Sequence, residues 1–208
     1  MKVDIISTDG KTTGRSVDLP AAVFGIEPNE HAVYLAVKAY NAAQRQGTHK
    51  SKEKGEIKAS TRKIKKQKGT GTARAGSLKS GLFRGGGRMF GPRPRKYNIK
   101  LNKKVKSLAR NSAFSSKAKE SKIRVIEDFS FDAPKTKAFK DVLKGLDVAN
   151  SKSIFIIGDA DKNVLLSSRN LKEAKVVNIA ELNTVDILHA NTVILSESAV
   201  NKLKASNS

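Results

Sequence analysis

The 208-residue chain contains neither cysteine nor tryptophan. The absence of cysteine excludes disulfides, thiolate zinc sites and cysteine nucleophiles, and fits a reducing compartment. Aromatic residues make up only 5% of the chain, too few for recognition built mainly on stacked bases. Apolar runs are short, and none approaches the length of a membrane span. Asp4 and Asp9 interrupt the amino-terminal stretch where a secretory signal needs an unbroken apolar core. A cytoplasmic protein with no membrane partner is expected. Acidic residues are also scarce, 19 against 41 Lys and Arg, which leaves a formal net charge of +22. An imbalance of that size implies a polyanionic partner, nucleic acid first and an anionic membrane surface second.

The excess charge is concentrated in one segment. Between residues 45 and 104 there are 20 Lys and Arg opposed only by Glu53 and Glu56, a net +18 out of the whole chain's +22. Ten of the 15 glycines lie in the same window. With few large apolar side chains and strong self-repulsion, the segment is expected to be disordered alone and to order against a counter-charge. An excursion of this length, out and back, reaches up to roughly 80 Å from its roots. A flexible linker needs solvation, but it does not need a cation every third residue interleaved with glycines that let backbone approach a phosphate or sugar.

The flanks read as an ordered domain. Lys2–Ile6 and Gly14–Leu19 predict two strands joined by the turn-prone Thr8-Asp9-Gly10. Asn29 is placed to cap a helix running to about Gln44, with Val33, Val37 and Tyr40 at helical spacing. Asn102 is placed to cap another over 103–119, with Val105, Leu108, Ala109 and Phe114 on an apolar stripe. Beyond residue 120 the β-branched runs Ile123–Ile126, Ile154–Ile157, Val176–Ile179 and Val193–Leu195 alternate with helical stretches at Lys135–Leu146, Asn163–Asn170, Val185–His189 and Glu197–Leu203. Such alternation means βαβ units over a buried parallel sheet. The expectation is a three-layer α/β/α domain with a central, mostly parallel sheet of about four strands. It spans residues 1–208, with a long extended basic loop inserted at 45–100.

Catalytic signals are weak. Gly71 to Gly76 has the look of a phosphate loop, but it continues into Ser77-Leu78 and lacks the Lys-Ser/Thr that reaches the outer phosphates and magnesium. Asp159, Asp161 and Asn163 match the first ligand positions of a calcium loop, yet Val164 stands where that loop turns on glycine and Asn170 where a Glu closes the shell. A strand-end turn and helix cap is the better reading. His31, His49 and His189 have no zinc-like spacing, and no Gly-x-Ser-x-Gly elbow is present. A doubly wound domain leaves room for a ligand at its strand ends near Gly158-Asp159, by fold analogy alone.

Residues 67–76, Gln-Lys-Gly-Thr-Gly-Thr-Ala-Arg-Ala-Gly, are followed by Arg84-Gly85-Gly86-Gly87, Phe90-Gly91-Pro92-Arg93-Pro94-Arg95 and Leu101-Asn102-Lys103-Lys104. Downstream come Asp132-Ala133-Pro134-Lys135-Thr136-Lys137 and Arg169-Asn170-Leu171. In this order and spacing the blocks strongly resemble the bacterial form of the universal large-subunit ribosomal protein four family, the exit-tunnel proteins, over nearly the whole chain. The resemblance implies a non-enzymatic constituent of the large ribosomal subunit, located in the cytoplasm on ribosomes. It implies a domain on the solvent side of the subunit, a loop threading between domains of 23S rRNA, and an early role in assembly. It also implies neighbouring large-subunit proteins and the nascent polypeptide in transit as partners and, in some bacteria, repression through the protein's own messenger RNA. Lys65, Lys66, Gln67, Lys68, Gly69 and Thr70 then resemble the family's loop tip at the narrow part of the tunnel. Lys65-Lys66 stand where bacterial relatives commonly show Trp-Arg, Thr72 where they show Arg and Gly81 where they show Pro. These departures remove a stacking ring and keep the cationic character.

The rRNA-binding set expected on these grounds is Arg62, Lys63, Lys65, Lys66, Lys68, Gly69, Gly71, Arg74, Lys79, Arg84, Gly85, Gly86, Gly87, Arg88, Arg93, Arg95, Lys96, Lys103 and Lys104. The cations neutralise phosphates, the arginines by bidentate contact. Phe83, Phe90 and Tyr97 are candidate stacking residues, with packing against the loop's own backbone or the domain edge as the alternative. No cofactor, metal site or homo-oligomer is expected, and any magnesium nearby belongs to the rRNA. The competing classes are a DNA-binding nucleoid or regulatory protein, which RNA selectivity over DNA competitor would exclude, and an RNA-tethered α/β enzyme, which needs a ligand near Gly158–Asp161.

Overall fold

Side-chain alternation along the strands after residue 120 explains the architecture. The computed structural model of the chain describes residues 1–159 and 161–206. In β4 (Ser153–Ile157), where all five residues are buried, Ile154 and Ile156 join one apolar cluster while Phe155 and Ile157 join another. The same split occurs in β6 (Thr192–Ser196), with Val193 and Leu195 in the first cluster and Ile194 in the second. Successive strand side chains point to opposite faces, so each strand serves two cores. The first cluster includes Phe114 and Ile187, from the helices here named α3 (Lys103–Lys119) and α6 (Thr184–His189). The second includes Phe139 and Val164, from α4 (Thr136–Gly145) and α5 (Lys162–Ser168). Burying each such side chain stabilises the fold by about 1.5–3 kcal/mol. Phe139 and Phe155 add an edge-to-face contact, with ring centroids 5.1 Å apart.

The fold is mixed α/β with one six-stranded sheet, where about four strands were expected. The order is β2-β1-β3-β6-β4-β5, where β1 is Lys2–Ile6, β2 Thr12–Asp18, β3 Ile123–Ile126 and β5 Ala174–Asn178. The difference arises at the amino terminus. The β1–β2 hairpin extends the main sheet instead of standing apart, because β1 pairs parallel with β3 through Ile5↔Val125 and Ile6↔Ile126. Only β2 runs antiparallel to its neighbour. Gly10 turns this hairpin at φ +83°, and a Cβ there would lie 2.0 Å from the Gly145 carbonyl oxygen at the end of α4. Both the positive φ and the close approach require glycine.

The remaining helices are α1 (Ala21–Phe24), α2 (Glu30–Ala43) and α7 (Glu197–Ser206). As expected, Asn29 caps α2: its side-chain oxygen accepts from the Ala32 amide at 2.9 Å. Asn102 occupies the corresponding place before α3, but its side chain makes no cap hydrogen bond. The expected apolar stripe of α3 is also displaced. Ala109 and Phe114 are buried, Val105 is half-buried, and Leu108 is 40% exposed. Small residues fill the buried face instead, with Ser112 and Ser115 fully enclosed. Ser112 Oγ accepts from the Asn29 amide (3.1 Å) and Ser115 Oγ donates to the Val23 carbonyl (3.0 Å), so these buried hydroxyls are satisfied. Among the described residues no helix is long and apolar enough to cross a membrane.

Contacts divide the chain into two compact units, one of Met1–Asn41 with Lys100–Ser208 and one of Ala42–Ile99.

Candidate nucleic-acid interface

Beyond the end of α2, the second unit contains no further helix or strand, because glycine frequency and like charge oppose both. It is held instead by cross-chain backbone bonds: Arg95 N–H to the Gly47 carbonyl (3.1 Å), Ser51 N–H to Pro92 (3.0 Å) and Arg88 N–H to Lys52 (2.9 Å). The outgoing and returning chains therefore run side by side as a stalk. Gly87, buried in this stalk, lies so close that a Cβ would stand 2.4 Å from the Lys54 amide nitrogen. The stalk also takes up both of the segment's carboxylates. Glu53 pairs with Arg93, and Glu56 pairs with Lys50. The Lys50 ammonium hydrogen-bonded to Glu56 holds that carboxyl below the usual carboxylate range.

Farther out, Ile64 N–H bonds to the Gly76 carbonyl at 3.0 Å and closes a terminal loop. Every residue from Lys58 to Arg74 is exposed. Within this loop Lys65 Nζ donates to Thr72 Oγ1 (2.7 Å) and Lys63 to Gln67. These oxygens are neutral, so they orient the ammonium groups without cancelling their charge. Arg62, Lys66, Lys68 and Arg74 of the loop, and Arg84 and Arg88 of the returning chain, are exposed and make no ion pair among the described residues.

The expected site residues thus separate. Lys63, Lys65, Gln67, Gly69, Thr70 and Gly71 join the loop cations on the terminal loop. Lys79, Gly85, Gly86, Gly87, Arg93, Arg95 and Lys96 line the returning chain, Lys79 and Gly86 half-buried and Lys96 exposed. Lys103 and Lys104 belong to the other unit, exposed in the first turn of α3.

The three candidate stacking rings separate too. Phe83 is half-buried in a tight turn, where its amide bonds to Ser80 and its carbonyl accepts from Gly86. Tyr97 is engaged by its own chain: the Arg45 and Arg95 guanidinium carbons lie 3.7 and 4.7 Å from its ring centroid. Its hydroxyl lies 3.4 Å from His49 Nε2. Hydrogen bonding to Arg95 lowers the Tyr97 pKa. Phe90 alone presents its whole ring outward, at 105% relative exposure. Sequence reasoning treated the three alike and missed Arg45 as the partner of Tyr97. The i to i+52 separation of that pair leaves no local signal.

The carboxylates at the strand ends of the first unit are already committed. Asp128 accepts from the Ser198 amide (3.1 and 3.2 Å) and hydroxyl (2.6 Å), which satisfies the start of α7. Asp161 caps α5 by accepting from the Asn163 amide at 2.9 Å, and Asp159 pairs with Lys202. The turn-and-cap reading of this run therefore accounts for it. His31 and His189 sit on α2 and α6.

Residues 17–206 match the model of the ribosomal protein L4/L1 family. The chain is 61% identical over 200 residues to the large ribosomal subunit protein uL4 of Flavobacterium johnsoniae, covering 96% of each chain. It is 58% identical over 205 residues to that of Christiangramia forsetii, covering 99% of each, and 54% identical over 200 residues to that of Bacteroides fragilis, covering 96% of each. Because the match runs from β2 to the last helix and takes in the whole basic arm, this chain belongs to the ribosomal protein L4/L1 family.

Proposed function

We propose that this protein is a non-enzymatic structural constituent of the large ribosomal subunit that binds 23S rRNA chiefly through the arm at residues 42–99. The observation that carries the reading is the terminal loop: an exposed run from Lys58 to Arg74 with cations at 58, 62, 63, 65, 66, 68 and 74 and no carboxylate. Phosphate neutralisation and counter-ion release supply the affinity, and A-form RNA presents phosphates and 2′-hydroxyls to such a probe. Exposed glycines at 69, 71 and 85 let the backbone approach sugar and phosphate, whereas Gly86 and Gly87 are taken up by close packing within the arm against Ser80 and Lys54. Lys79, Arg84, Arg88, Arg95 and Lys96 extend the basic surface along the stalk, and Lys103 and Lys104 add a second patch.

On this reading the α/β unit is a three-layer domain into which the arm is inserted. The alternation of β4 and β6 between two apolar clusters supports it. The unit faces neighbouring large-subunit proteins, and the tip at Lys65–Thr70 borders the path of the nascent polypeptide. The protein acts early in subunit assembly, on cytoplasmic ribosomes, and needs no cofactor beyond the magnesium the rRNA carries. Ultraviolet cross-linking of subunits followed by peptide mass spectrometry tests the assignment. Nucleotide adducts within residues 58–96 are expected, whereas adducts confined to 105–206 would contradict it.

A further inference from the structure

Phe90 combines full exposure with a backbone conformation that side-chain-bearing residues rarely adopt, φ +53°. The stalk's pairing explains how it is held there. Arg88 bonds to Lys52 and Pro92 to Ser51, so three residues, Met89, Phe90 and Gly91, bulge opposite a single Ser51–Lys52 step. Gly91 lets the bulge close: a Cβ at this position would stand 2.6 Å from the Ser51 side chain. Strain maintained by surrounding contacts, with an aromatic ring projected into solvent, points to a binding role. The ring borders a groove of about 530 Å³ lined by Glu53, Lys54, Arg88, Met89, Gly91 and Arg93, a volume in the range of small-ligand sites. Glu53 is neutralised by Arg93, so Lys54 and Arg88 leave the groove basic.

We infer that Phe90 receives an unstacked nucleobase of the bound RNA on its ring, while Lys54 and Arg88 hold the flanking phosphates. The inference rests on the rRNA-binding reading above and adds to it one specific non-electrostatic contact. An apolar ring bordered by two cations that make no ion pair among the described residues suits a base with its phosphates better than an apolar protein surface. A protein surface would leave Lys54 and Arg88 desolvated and unpaired.

The two kinds of contact respond differently to salt: phosphate contacts set its slope, and stacking on an aromatic does not. The test uses the full-length chain with a 23S rRNA transcript, and with single-stranded and fully paired RNA of equal length. Phe90→Ala and Phe90→Leu are expected to weaken rRNA binding on the order of tenfold at every salt concentration, with an unchanged slope. Leu retains apolar bulk without a π face, so its failure to rescue separates stacking from simple burial. Phe90→Trp should retain affinity. The chain has no tryptophan, so the introduced indole reports alone, and single-stranded RNA should quench it more than duplex. Unchanged RNA affinity in Phe90→Leu, with loss of a neighbouring protein from reconstituted particles, would overturn the proposal in favour of a protein contact. Equal quenching by duplex and single strand would also overturn it. Failure of the rRNA-binding reading itself would look different, as a flat salt dependence of the unaltered chain.

Discussion

Replacing Lys66, Lys68 and Arg74 together by alanine should change how steeply rRNA affinity depends on salt. The magnitude follows if six of the arm's exposed cations that make no ion pair among the described residues, Arg62, Lys66, Lys68, Arg74, Arg84 and Arg88, each engage one phosphate. Each engaged phosphate contributes about −0.7 to −0.9 to the slope of log K against log salt. Six such contacts give roughly −4 to −5, so raising salt from about 50 to 200 mM weakens binding roughly 300- to 2,000-fold. The triple variant removes half of them and should flatten the slope by about 2 to 3. Arg93→Ala is the control. Its guanidinium is already paired with Glu53, so its removal frees a carboxylate near the RNA and costs affinity without removing a full phosphate contact. Filter binding or fluorescence anisotropy across a salt series measures both variants. A triple-variant slope equal to that of the unaltered chain would refute the assignment of these three side chains to phosphates.

Gly87→Ala should disrupt the stalk, because its Cβ would meet Lys54 and Glu53 backbone at 2.4–2.7 Å. Gly76→Ala, with open space around its Cβ, should not. Amide exchange at Arg88 and Ser51 is the readout, with the melting of the α/β unit unchanged in both variants. Asn29→Ala should cost about 1 kcal/mol through loss of the α2 cap, and Asn102→Ala close to nothing, since its side chain caps no amide; urea unfolding compares the two. The Glu56 carboxyl should titrate below the ordinary range because the Lys50 ammonium favours its charged form. Any contribution of that pair to arm order is therefore present above the unfolded carboxyl's pKa and lost as pH falls through the lowered value. Carboxyl NMR shifts follow this, and a Glu56 midpoint at or above that of a free glutamate would contradict it.

The parts of the fold legible in the sequence were those carried by long periodic signals. The four β-branched runs after residue 120 became β3 to β6, and Asn29 capped α2. Short or non-local features were not legible. The four-residue α1 after Pro20 is too brief for any period to register. Helical spacing of apolar residues puts Leu108 on the apolar stripe of α3 because serine is not counted as apolar, yet Ser112 and Ser115 fill the core through hydrogen bonds to Asn29 and Val23. Joining the β1–β2 hairpin to the main sheet depends on β1 meeting β3 more than a hundred residues later. In the arm, charge and glycine content marked the whole segment, but not its division into stalk and tip. The count of cations and apolar side chains favours disorder in the absence of a counter-charge. It does not register backbone bonds such as Ser51–Pro92, and exchange at those amides in the free protein decides between the two. The bulge that singles out Phe90 from Phe83 and Tyr97 depends on the same cross-chain pairing.

The central claim, that the arm anchors this protein within the large subunit's rRNA, is tested most directly by sedimenting a lysate through sucrose gradients at moderate and then high salt. The full chain and a chain lacking residues 60–95 are followed side by side. The account predicts that the full chain remains with the large subunit after the high-salt wash, while the shortened chain, its α/β unit still folded, is released. A full chain that runs free or with chromosomal DNA, or a shortened chain that resists the wash equally well, would contradict it.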